Sequence, residues 1–114
     1  MDEARLPAHL EVSGLIRAVD AAGGFGTVIA KGERDAGTLL VICCERGTNA
    51  QAFERMPQVD GTRKWTRVKV QDPENPDEFS AYCERRRAQD PDLWVIELDI
   101  ANAERFILAN ETNG

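Results

Sequence analysis

The chain has 114 residues, 42% of them hydrophobic and 30% charged, and a formal net charge of -6. That is the composition of an ordinary soluble globule with the length of one domain over 1–114; its acidity argues against a dedicated nucleic-acid binder, which is ordinarily basic. Three cysteines, two of them adjacent at Cys43 and Cys44, make no disulfide framework, and no stretch nears the ~20 apolar residues that span a bilayer.

Residues 1–14 lack the basic start and apolar run of a secretory leader. A cytoplasmic protein without membrane contact is expected. The first element is a helix over about 8–22, with Val12, Leu15, Ile16, Val19 and Ala22 on one stripe and Glu11, Arg17 and Asp20 off it. Pro7 suits the first turn, and Gly23-Gly24 ends the helix. Gly14 in its interior costs ~1 kcal/mol relative to alanine.

Two β-prone apolar runs follow, 25–30 and 38–44, flanking the polar segment KGERDAG at 31–37. The pattern predicts a β-hairpin. In the second run Leu39, Val41 and Cys43 alternate with Leu40, Ile42 and Cys44, so the strand is apolar on both faces and belongs at the centre of a sheet. Helices cover one face; the other calls for a cover, such as a second copy of the chain. A turn at Gly47-Thr48-Asn49 leads to strands at 51–57 and 64–70, joined through Asp60-Gly61, a strong hairpin signal. Alternation puts Thr66, Val68 and Val70 on one face and Trp65, Arg67 and Lys69 on the other.

Asn75, Pro76 and Glu78 open a second helix with a capping-box spacing. Its apolar face is Phe79, Tyr82 and Cys83, its basic end Arg85, Arg86 and Arg87, and it stops at Asp90-Pro91. Residues 93–98 predict a strand with Trp94, Ile96 and Leu98 toward the core. Residues 103–108 fit a last strand or a helical turn equally, which leaves the conformation of 100–109 open. The ends, 1–6 and 110–114, are expected to fray.

The leading helix, then GGFGTVIAKGERDAG, a hairpin-rich middle and YCERRRAQDPDLWVIELD together resemble the bacterial family catalogued as domain of unknown function 1491. The resemblance covers roughly 6–106, and KGERDAG and DPDLWVIEL are its most specific parts. It implies a small, free-standing cytosolic bacterial protein. It brings no activity, substrate or catalytic residue.

Three clusters are candidates for chemistry. At 31–37, Lys31 and Arg34 supply positive charge, Gly32 and Gly37 allow backbone N–H groups to form an anion nest, and Asp35 completes the set. The loop lacks the GxxxxGK[ST] of a phosphate-binding loop and opens no helix. Arg63, Lys64, Arg67 and Lys69 interleaved with Trp65 resemble a single-strand nucleic-acid face, against which stand Asp72, Glu74, Asp77 and Glu78 nearby. Cys43, Cys44, Cys83 and the lone His9 have no zinc spacing, and no nucleophile elbow occurs, so no metal, cofactor or catalytic set is expected. Glu97 and Asp99 read as a solvated strand face.

The sequence therefore predicts an α+β fold, an antiparallel sheet of about five strands with two helices mainly on one face. The function expected is a non-enzymatic binding module, homodimeric through the second face of the sheet. The alternatives are recognition of an anionic small molecule at Lys31, Gly32, Arg34, Asp35 and Gly37, and weak RNA or single-stranded DNA binding through 63–69.

Overall fold

A computed structural model describes residues 6–108. The terminal segments expected to fray lie outside the described residues, apart from Leu6. The elements are α1 (Ala8–Ala21), β1 (Phe25–Ala30), β2 (Leu39–Glu45), β3 (Thr48–Pro57), β4 (Arg63–Val70), α2 (Pro76–Gln89), β5 (Trp94–Asp99) and α3 (Arg105–Leu108). The five strands form one sheet in the order β1-β5-β2-β3-β4. Every neighbouring pair is antiparallel except β2 and β5, which run parallel from Leu39↔Trp94 to Cys44↔Asp99.

The α+β class and the central place of β2 stand as read from sequence: residues 39–44 are all buried. The hairpin of β1 with β2 is corrected. Strand β5, the last to be made, inserts between them and pairs with both. Segment 31–37 is not a hairpin turn; it bridges two strand spacings, roughly 10 Å, around the start of β5. A polar loop between two β-prone runs looks the same in either case.

The sheet carries helices on both faces, which corrects the expectation of one. On the first face Val12, Leu15 and Val19 of α1 and Ile107 of α3 pack on Leu39, Val41, Cys43, Phe53, Trp65, Trp94, Ile96 and Leu98. On the second, Phe79 of α2, with Tyr82 and Cys83, packs on Leu40, Ile42, Cys44, Ala50, Ala52 and Val95. The doubly apolar β2 is thus covered from both sides within one chain.

Two ion pairs on β3 fix this arrangement. Arg55 donates two hydrogen bonds to the carboxylate of Glu11 on α1 and stacks 4.5 Å from the centre of the Trp65 ring. Its neighbour Glu54 points the other way and accepts two bonds of 2.7 Å from Arg86 on α2. Successive strand residues face opposite sides, so one dipeptide holds a helix to each face. Glu11 and Glu54 are the buried charged side chains among the described residues, and both are paired, as burial of charge requires.

Local turns follow their residues. Between β2 and β3, Arg46 and Gly47 both take positive φ, 53° and 72°, as a two-residue type I′ hairpin demands. Asp60 accepts bonds from the backbone N–H and hydroxyl of Thr62 in the β3–β4 turn, as the Asp-Gly signal predicts. Asn75 and Pro76 begin α2, but the Asn75 side chain makes no capping bond. Residues 105–108 resolve as one helical turn, α3.

Candidate interaction surface

Segment 31–37 folds inward on itself. Glu33 turns its carboxylate back on the loop, and Oε1 accepts the backbone N–H groups of Asp35 (3.0 Å) and Ala36 (2.5 Å). These bonds hold its carboxyl below the usual 4.5. The nest drawn from the glycine pattern exists, but the chain's own Glu33 fills it. The carbonyls of Asp35 and Arg34 accept the Ala8 and His9 N–H groups at 2.9 Å each, which caps α1 where Pro7 offers no side-chain cap. The Glu33 carbonyl accepts the Trp94 indole N–H at 2.7 Å, and the Glu33 N–H donates to Asp92.

The two glycines are there for close approach. A Cβ on Gly32 would fall onto the Asp92 carbonyl, and one on Gly37 would meet that same oxygen and the Glu33 carbonyl, 2.7 Å away. The two motifs of highest specificity in the sequence, KGERDAG and DPDLW, are therefore two halves of one contact. Of the predicted site residues, Gly32 and Gly37 face Asp92. Arg34 and Asp35 lie at the α1 end with side chains 71% and 67% exposed. Lys31 lines a cleft of about 370 Å³ with Glu84, Arg87, Asp90 and Leu93, which Arg34 and Asp35 do not line. The loop does not gather its cations around one point.

The basic strand is divided in the same way. Phe53 pairs with Arg67 and Ala52 with Lys69, so Val68 is an extra, bulged residue on β4. The bulge reverses the alternation, placing Arg67 with Trp65 on the α1 side and Lys69 on the α2 side, where it meets Glu78 at 3.3 Å. This corrects the single Trp65–Arg67–Lys69 face. Trp65 is 6% exposed beneath Arg55 and offers no open ring for a base.

Burial pushes the Cys43 and Cys44 thiols up to about 12, with Glu104 adding to the first and Glu97 and Asp99 to the second. Thiols raised this far stay protonated and are weak nucleophiles near neutral pH. Asp99 is a structural acceptor: its two oxygens take the N–H groups of Arg46 (2.6 Å) and Gly47 (3.1 Å). No group of three metal-ligating side chains occurs among the described residues.

What remains is β1. It is an edge strand, FGTVIA, without a charged residue. Phe25 is 73% exposed, Ile29 50% and Val28 38%. Its α1 side is crowded: Gly26 passes under Ile16, where a Cβ would lie 3.0 Å from the Ile16 Cα. Its α2 side is open, because α2 sits toward β3 and β4 through Arg86–Glu54 and Lys69–Glu78. Between α2 and β1 runs a cleft of about 240 Å³ floored by Ile42, Cys44, Val95 and Glu97 and flanked by Ile29 and Arg87. The opposite edge, β4, is RKWTRVKV, four of eight residues basic. Edges are commonly guarded by Lys and bulges; β4 follows that habit, whereas β1 carries no charge and its bulge lies only beyond Val28. The basic residues of β4 made it the strand alternative for nucleic acid, behind the second sheet face and the 31–37 loop; the signal for β1 is its lack of charge, which is silent until the strand order shows it to be an edge.

Fold and surface define a small α+β protein with helices on both faces of a mixed sheet, a self-closed loop and, among the described residues, one sheet edge that carries no charge. The chain belongs to the DUF1491 family, whose model, described as a protein of unknown function, matches residues 6–108. It is similar to the crystal structure of a DUF1491 family protein from Caulobacter crescentus CB15, at 34% identity and TM-score 0.75, over 90% of this chain and 94% of that one. An NMR structure of a DUF1491 family protein from the same organism matches at 33% identity and TM-score 0.74, over 91% and 94%. A solution structure of an A. tumefaciens protein matches at 33% and 0.67, over 85% and 87%. No curated protein matches the chain.

Proposed function

We propose that this protein is a non-enzymatic binding module of the bacterial cytoplasm and that its contact surface is the free edge of β1. The observation that carries this reading is the contrast between the two sheet edges. A strand with unpaired backbone groups and exposed apolar side chains recognises an extended segment by adding it to the sheet, main-chain bonds giving affinity and alternate side chains specificity. The bacterial relatives and the three free cysteines, which suit a reducing compartment, support the setting. No helix among the described residues is long and apolar enough to cross a membrane.

The test is an NMR titration of the ¹⁵N-labelled chain with a synthetic peptide of alternating valine and threonine. Shifts concentrated at residues 25–29 and their β5 partners are the expected result. Shifts centred on 31–37 and the α1 N-terminus, with β1 unmoved, would overturn the reading in favour of the loop.

A further inference from the structure

Resting on that reading, we infer that the segment β1 accepts is β1 of a second copy, in an antiparallel pair centred on Thr27. The Gly26 N–H donates to Asp20 Oδ1 at 3.3 Å and so points away from β5. By the two-residue period, the peptide groups of Gly26 and Val28 face the open edge. A twofold axis through Thr27 sets Gly26 of each copy opposite Val28 of the other, the hydrogen-bonded pair that this geometry allows.

Side chains fit the same register. Phe25 and Thr27 lie opposite Asp99 and Glu97, hence on the α2 side. The register shift between Val28 and Ala30 makes Ile29 an extra residue, and it lines the α2-side cleft. The Thr27 axis brings Phe25 of each copy beside Ile29 of the other, so the two most exposed apolar side chains of β1 cover each other. Val28 meets Gly26, where no side chain competes. No charge lies on the strand to repel its own copy. The two five-stranded sheets join into one of ten. The contact is a short one, at the small end of interface sizes, and predicts a weak, micromolar dimer. Asp20 is its built-in competitor, because it must release the Gly26 N–H for the pair to close.

Sedimentation equilibrium from low to high micromolar concentration tests this, with fold checked by circular dichroism. Thr27 is exposed and faces Glu97 in its own chain, so Thr27→Lys folds normally. It sets two ammonium groups across the axis and weakens association about five-fold. Thr27→Glu weakens it likewise, and mixing the two variants restores a dimer. Asp20→Ala strengthens it by roughly a few-fold. Under mild oxidation Thr27→Cys cross-links faster than Val59→Cys, a control at the exposed tip of the β3–β4 turn. A wild-type chain that stays monomeric, a dimer indifferent to Thr27→Lys, or equal cross-linking at 27 and 59 would each overturn the inference. A monomer whose β1 amides still answer the valine–threonine peptide would overturn self-pairing while leaving the edge reading in place; a monomer deaf to that peptide would overturn both.

Discussion

Replacing Arg86 by Met would test how the two helices are held to opposite faces. The Glu54 side chain is 10% exposed and Arg86 23%, with two bonds of 2.7 Å between them. Removing one partner of a buried pair strands the other charge at about 3–5 kcal/mol. Water already reaches a quarter of Arg86 and can follow to Glu54, so about 2–3 kcal/mol is expected here. For a chain of this length that is a fall in Tm of roughly 10 °C. The double variant Glu54→Leu, Arg86→Met removes both charges and should return to within about 1 kcal/mol of the wild type. Urea unfolding followed by fluorescence of the buried Trp65 and Trp94 measures each species, with the slope against denaturant unchanged. If Arg86→Met costs less than about 0.5 kcal/mol, the pair behaves as a solvated surface contact and holds nothing. A double variant worse than the two single losses combined would contradict the stranded-charge explanation.

The glycines give opposite signs. Gly32→Ala drives a methyl into the Asp92 carbonyl and should cost at least about 2 kcal/mol in a thermal melt, whereas Gly14→Ala, with nothing within 4 Å, should gain about 1 kcal/mol. Glu33 has a depressed folded pKa, so its contribution is present above the unfolded value near 4.5 and is lost as pH falls through the folded one. The stability gap between wild type and Glu33→Gln, measured by urea unfolding across pH, should be full at neutral pH and close in acid; a gap that grows in acid would refute the loop bonds. With thiols near 12, Cys43 and Cys44 should resist iodoacetamide at pH 8 in the native protein and react on unfolding, which mass spectrometry reads directly.

Sequence pattern reached the local structure well and the long-range structure poorly. The Val12–Leu15–Val19 stripe, the Asp60-Gly61 turn and the Trp94–Ile96–Leu98 face each depend on neighbours within one element, and each is found where periodicity puts it. The insertion of β5 between β1 and β2 depends on strands more than fifty residues apart, and nothing in 25–44 records it. Glu11 looked like the wet side of α1 because its partner, Arg55, lies on another element. A single bulged Val68 turned Lys69 to the other face, which no alternation rule foresees. The 31–37 loop was legible as unusual but not as closed, since its anion is its own Glu33. The exposed edge of β1 is a property of strand order alone.

Amide hydrogen exchange of the intact chain at low and at high protein concentration tests the central claim most directly. The Val28 amide, which faces the open edge, should exchange fast in dilute solution and become protected as concentration rises, while the amides of 31–37 keep one rate throughout. Protection that rises with concentration in 31–37 but not at Val28 would contradict the account.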